Sequence, residues 1–182
     1  MLQDRIETAH LTLTPFKESD QGDVYDYWSS DPDWERFNAS VPKNFTTADA
    51  QRFVNNMLNR DRANQPNWAI HYEGAVVGVV SLTFEQDHRV AVIGYGIHAM
   101  LRGQGFAVEA TRSVIEHAFE GYPELHRIRA HTNSENRASH RVLEKLGFHH
   151  EETLRNNQFV KGASQDETIF GLLREDFDRE SV

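Results

Sequence analysis

Arg102-Gly103-Gln104-Gly105-Phe106-Ala107 is the stretch whose residue types bear most directly on chemistry. Two glycines one residue apart let the backbone curl so that successive N–H groups point into one concavity, an arrangement that holds an anion. A helix beginning at Phe106 adds unpaired first-turn amides and the positive end of its dipole, so phosphate or pyrophosphate is the natural guest. Arg102 offers a charged donor at the mouth of this loop. Two other readings attach to the same residues: a plain strand-to-helix turn, and a dinucleotide-binding loop. The second wants a third glycine, where Val108 stands, and a parallel strand–helix–strand unit, whereas the strands before this loop read as antiparallel.

Other chemistries are limited by composition. The chain has no cysteine, which removes disulfide scaffolds, thiol nucleophiles, thiolate zinc sites and iron–sulfur clusters together. It has 10 histidines, but none stands three or four residues from another and His-Glu-x-x-His is missing, so no metal is expected. The adjacent His149 and His150 point to opposite faces of a strand.

The elements that must position the loop follow from periodicity. Leu11 and Leu13 alternate with polar residues up to Pro15-Phe16, giving a short first strand, and a helical stretch runs from about Glu18 to Ser29. An irregular segment with Pro32, Trp34, Phe37 and Pro42 follows. Thr46 or Thr47 then caps a helix whose Phe53, Val54, Met57 and Leu58 share a face, ending near Arg62. Three strands, Trp68 to Tyr72, Ala75 to Phe84 and Arg89 to Ile97, are separated by Glu73-Gly74 and Gln86-Asp87-His88, links short enough only for antiparallel neighbours. Val76 to Val80 is apolar on both faces, as a covered central strand should be.

After the loop, Phe106, Ala110, Val114, Ala118 and Phe119 mark a helix that Gly121-Tyr122-Pro123 stops. A strand from His126 to Thr132 leads to a second helix, capped by Asn133 or Ser134, with Ala138, Val142, Leu143 and Leu146 on one face and Gly147 as its C-terminal cap. Strands around His150 to Leu154 and Thr168 to Leu173 complete the pattern. The fold class is α+β: a mixed, mostly antiparallel sheet of about seven strands with helices on both faces. The 182 residues read as a single domain, 1–182, with a core of about 8–175.

On these residues the chain resembles the GNAT acyltransferase superfamily, whose acetyl-CoA loop reads Gln/Arg-x-x-Gly-x-Gly/Ala. Arg102, Gly105 and Ala107 match each defined position. Gly94-Tyr95-Gly96-Ile97, Glu109-Ala110, Asn136-Arg137-Ala138-Ser139, Glu144-Lys145-Leu146-Gly147-Phe148 and Leu11-Thr12-Leu13-Thr14-Pro15-Phe16 look like the branch with ribosomal-protein N-terminal (Rim-type) acetyltransferases. The resemblance covers nearly the whole chain. It implies the GNAT fold, with acetyl-CoA as co-substrate. Pantetheine would lie on backbone groups of Ile97 and His98, the pyrophosphate on the amides of Gly103, Gln104, Gly105, Phe106 and Ala107, and Asn136 against the pantetheine arm. Ser139, one turn after Asn136 and on its face of the helix, would meet the thioester sulfur. Read without the resemblance, Asn136 is a helix cap and Ser139 a small packing residue.

A thioester is already activated, so a neutral, correctly placed amine attacks it directly. At pH 7 about a tenth of α-amino groups with pKa near 7.7–8.0 are neutral, against fewer than about one lysine in a thousand. A protein N-terminus is therefore the less demanding acceptor, with a small-molecule amine such as an aminoglycoside or polyamine as the alternative. Backbone N–H groups near Ile97 and His98 would stabilise the oxyanion, and Ser139, directly or through water, would protonate the leaving thiolate. Rim-type relatives place a glutamate base where this chain has Asn156-Asn157-Gln158. Glu85, His98 or a water chain are the substitutes, and a catalytically silent acyl-CoA-binding module is the contrasting reading.

With 19 Lys+Arg against 28 Asp+Glu, the formal charge of −9 speaks against nucleic acid or an anionic membrane as partner and suits a cationic acceptor. No apolar stretch approaches the roughly 18 residues of a membrane span and no basic, apolar leader opens the sequence, so a cytoplasmic protein is expected. A homodimer is compatible with this. Trp28, Trp34, Phe37 and Phe45 either line an acceptor groove or sit in the core. Asn38-Ala39-Ser40 and Asn44-Phe45-Thr46 match the glycosylation pattern by accident, and Arg127 and Arg129 lie on an exposed strand face.

Overall fold

Turn chemistry divides the middle of the chain into hairpins. In the computed structural model, which describes residues 2–38 and 41–180, Glu73 and Gly74 have φ of 50° and 87°. They join β3 (Asn67–Tyr72) to β4 (Ala75–Glu85) as a two-residue turn of the kind that matches strand twist. Gln86, Asp87 and His88 all take positive φ and turn β4 into β5 (Val90–Ile97). A third such turn, Lys161-Gly162, joins β7 (His149–Val160) to β8 (Ala163–Leu173). Both of those strands run further than their apolar alternation, because the added residues 155–158 and 164–167 are polar.

Among the described residues the sheet has eight strands in the order β1-β2-β3-β4-β5-β6-β8-β7, with β1 (Ile6–Glu7), β2 (Thr12–Thr14) and β6 (Arg127–Asn133). The count exceeds the expected seven because β1 is a two-residue edge, too short to carry a period-2 signal. All neighbouring pairs are antiparallel except β5 and β6.

Helices cover both faces. Phe16 and residues of α1 (Gln21–Ser29) and α3 (Thr47–Leu58) pack with Ala69, Val76 and Val79 on one side. On the other, α4 (Phe106–Gly121) and α5 (Arg137–Lys145) bury Ala110, Val114, Leu143 and Leu146 against Val80, Leu82, Ile93 and Ile128. Thr46 caps α3 reciprocally: its hydroxyl accepts from Asp49 N at 3.3 Å while its own N–H donates to the Asp49 carboxylate at 2.8 Å. The cap of α5 is Asn136, rather than Asn133 or Ser134, its Oδ1 accepting from Ser139 N at 3.1 Å. Gly147, at φ 83°, supplies the expected left-handed end of that helix.

Two helices arise where none was expected. The early irregular segment contains α2 (Pro32–Phe37), with Asp31 as N-cap and Pro32 in its first turn, and α6 (Arg174–Glu180) follows β8. Each is under two turns, too short for a repeating apolar face to be read. Ala39 and Ser40, and with them most of the first glycosylation match, lie outside the described residues.

One break in the sheet matters most. Pairing of β5 with β6 runs from Val90↔Arg127 to Ile93↔Ala130 and stops. Beyond that point β5 continues on β4 as far as Ile97↔Gly78, and β6 continues on β8 as far as Asn133↔Glu167. The two parallel strands therefore part like a V, with Tyr95 to Ile97 on one arm and His131 to Asn133 on the other.

Candidate active site

A cavity of about 680 Å³ occupies this V, lined on one side by Gly103, Gly105, Phe106 and Ala107 and on the other by Trp34, Phe37 and His131. The main chain is what makes the opening polar. His98 N donates to Val77 O at 2.7 Å, so the groups of His98, Gly96 and Gly94 point at β4. Because direction alternates along an antiparallel strand, those of Ile97 and Tyr95 point into the V, where β6 no longer receives them. The Ile97 N–H thus points into the opening. His98 does not: its amide is spent on β4, its Nδ1 accepts from Met100 N at 3.2 Å, and its ring lies 5.5 Å from that of Tyr27.

The glycine loop has the shape expected of it. Gly103 and Gly105 have φ of 81° and 90°, and a Cβ on either would meet nothing within 4 Å, so glycine is required here by backbone angle and not by crowding. Gly105 caps α4, and the helical ladder opens with Glu109 N to Gly105 O at 2.9 Å. The amides of Phe106, Ala107 and Val108 precede that first bond and face the loop's concavity as an anion cradle. Gln104 contributes backbone only, since its Nε2 donates to Met100 O at 3.2 Å. Arg102 corrects the expectation of a donor waiting at the mouth. Its guanidinium is held by the buried Asp31 and by Asp33 at 2.8 Å, fastening the loop to the N-terminus of α2.

Asn136 and Ser139 both border the cavity. Ser139 Oγ lies 2.9 Å from the Tyr95 hydroxyl, which also donates to Ser139 O at 3.1 Å. Burial pushes the Tyr95 phenol well above its ordinary pKa, so it stays protonated beside the Ser139 hydroxyl. Sequence reading missed Tyr95 as a functional group, although its position between Gly94 and Gly96 was the available signal.

Glu85 is not brought to the site. It sits opposite Val90 at the far end of β5, five residues or about 17 Å from Tyr95 along the strand, and its carboxylate pairs with Arg129 at 2.5 Å. Trp34 lies across Gly96, where a Cβ would run into its ring, and with Phe37 it borders the cavity. Trp28 is core: it is buried and packs on Phe45 and Phe53. Among the described residues no group of three or more metal-ligating side chains converges, and no helix is long and apolar enough to cross a membrane.

A parted pair of parallel strands beside a glycine-capped helix N-terminus defines an acyl-CoA N-acyltransferase. The chain belongs to the GNAT acetyltransferase family, whose domain, described as "Acetyltransferase (GNAT) domain", matches residues 10–149. N-acetyltransferase p20 of Bacillus licheniformis is 29% identical over 179 residues, covering 96% of this chain and 98% of its own. The structure of a GNAT-family acetyltransferase from Bacillus anthracis superposes with TM-score 0.81 at 26% identity, over 94% of this chain and 99% of that one. RimL, a ribosomal L7/L12 α-N-protein acetyltransferase solved with coenzyme A, shares the fold at TM-score 0.82 and 18% identity, over 93% and 97% of the two chains. The protein is an acetyl-CoA-dependent N-acetyltransferase.

Proposed function

We propose that the protein transfers acetyl from acetyl-CoA to the α-amine of a protein N-terminus, by direct attack within the V between β5 and β6. The observation that carries this reading is the Tyr95–Ser139 pair standing beside that opening, 2.9 Å apart. The pyrophosphate lies on the amides of Gly103 to Ala107, and the pantetheine arm follows the main chain of Tyr95 and Ile97 past Asn136. Ile97 N–H meets the oxyanion as it forms, a donor fixed in place before the reaction. The amine nitrogen bonds to the carbonyl carbon and loses one proton to solvent, the C–S bond breaks, and the thiolate takes a proton from Ser139 Oγ, which is restored from solvent by way of Tyr95.

An α-amine fits because it reaches its neutral form near pH 7 without help that a lysine would need. Trp34 and Phe37 offer apolar contact for the first side chains of such a peptide, and the acidic surface attracts its charge. The test is release of free thiol from acetyl-CoA with N-terminal peptides, the same peptides blocked by N-acetylation, polyamines and aminoglycosides. With no cysteine in the chain the protein contributes no background thiol. Turnover on unblocked peptides alone is expected; turnover confined to small amines would overturn the choice of acceptor.

A further inference from the structure

With Glu85 remote and His98 turned away, the proton of the attacking amine has to go elsewhere, and the structure assigns it to His131. This rests on the acetyl-transfer reading and adds to it the residue that accepts that proton. His131 is the first residue of β6 beyond its last pair with β5, and it borders the same cavity as Tyr95 and Ser139. Alternation along β6 buries Ile128 and Ala130 under α4, which places His131 on the opposite face, the one that Trp34 shares over Gly96. Trp34 covers Gly96, while Gly94 is exposed and leaves open backbone beside the indole on the face that His131 shares.

The imidazole is also oriented. Its Nδ1 lies 3.3 Å from Glu167 Oε1. The Glu167 carboxylate, 10% exposed, accepts from Gln158 Nε2 and Asn157 Nδ2, each at 2.6 Å. These are two of the neutral amides that stand where Rim-type relatives carry a base, and here they serve to fix a carboxylate supplied by β8. With Nδ1 beside the Glu167 carboxylate, Nε2 is the ring nitrogen that takes the proton. The other charged groups on this face are already paired: Arg129 by Glu85, and Arg127 by Glu151; Glu152 follows on the outer strand β7. In the full step the ammonium proton passes to His131 Nε2 and on to solvent, the free amine forms the N–C bond and gives up its second proton by the same route as the C–S bond breaks, and the thiolate takes one proton from the Ser139 side, which solvent then restores.

The experiment compares the parent with His131→Ala, and with His131→Gln should the smaller side chain unsettle the fold, on one amine panel. Acetyl-CoA affinity is measured in parallel by calorimetry. The expected result is a fall in kcat of about a hundredfold at unchanged affinity, with part of the loss in His131→Ala restored by added imidazole. Glu167→Gln, acting through His131, should lower kcat at unchanged acetyl-CoA affinity, and combined with His131→Ala it should lose no more than His131→Ala alone. A kcat within threefold of the parent, or a loss that imidazole leaves untouched, would overturn the assignment. Turnover by neither parent nor variant on any amine would instead remove the acetyl-transfer reading, and His131's role with it.

Discussion

The Tyr95 hydroxyl and Ser139 Oγ stand 2.9 Å apart, joining a strand of the parted pair to the helix that Asn136 caps. Because the two act on one proton, their removal should not add. Ser139→Ala and Tyr95→Phe are each expected to lower kcat about ten- to a hundredfold, and the double variant should lose little more than the worse single one. Thiol-release kinetics on all three variants, with acetyl-CoA KM nearly constant, checks this. Full additivity would mean that the hydroxyls work independently.

At Gly105 the left-handed φ of 90° and the empty surroundings separate two effects that usually coincide. Gly105→Glu brings a carboxylate to the anion cradle and should abolish acetyl-CoA binding, while circular dichroism remains that of the parent. Gly105→Asn, which tolerates this backbone angle, should fold with a loss under about 1 kcal/mol and bind measurably. Unchanged calorimetric affinity in the glutamate variant would rule out the loop as pyrophosphate site.

Breaking the Arg102–Asp31 pair should show as lost stability before lost binding. Asp31 is 3% exposed and also caps α2, so Arg102→Ala leaves its carboxylate without a cation. The cost should be about 1–3 kcal/mol, below that of a fully enclosed pair since Arg102 is 33% exposed. Thermal unfolding of the apo protein reads this directly. A loss confined to acetyl-CoA affinity would return Arg102 to the role of phosphate donor.

Gly96→Ala tests the packing of Trp34 against bare backbone. The added Cβ has to displace the indole, an overpacking of about 1–3 kcal/mol. Trp34→Ala in the same chain should recover most of that stability, though not acceptor KM. Tryptophan emission and acceptor KM report the two consequences separately.

Much of the site could be read from residue order because its parts are local. Gly103 and Gly105 mark the anion loop through the angles they alone adopt cheaply, and Asn136 and Ser139 share a helix face by spacing. The two hairpin links, Glu73-Gly74 and Gln86-Asp87-His88, and with them the antiparallel middle of the sheet, follow from turn chemistry. Asp31 followed by Pro32 was a legible helix start, but six residues are too few for periodicity to confirm it.

The chain by itself determined the α+β order of elements, the glycine-capped start of the helix at Phe106, and the exclusion of thiol chemistry. Tertiary structure alone decided which polar side chains meet. Glu85 and His98 stand at strand ends as candidate bases, but a register of eight residue pairs between β4 and β5 leaves Glu85 with Arg129, and the His98 ring takes Met100 N and lies against Tyr27. The same register leaves Tyr95 on Ser139, 44 residues away in sequence, and β8 brings Glu167 to His131, 36 positions earlier. Such meetings depend on strand order and on where β5 and β6 cease to pair, and no local spacing encodes either.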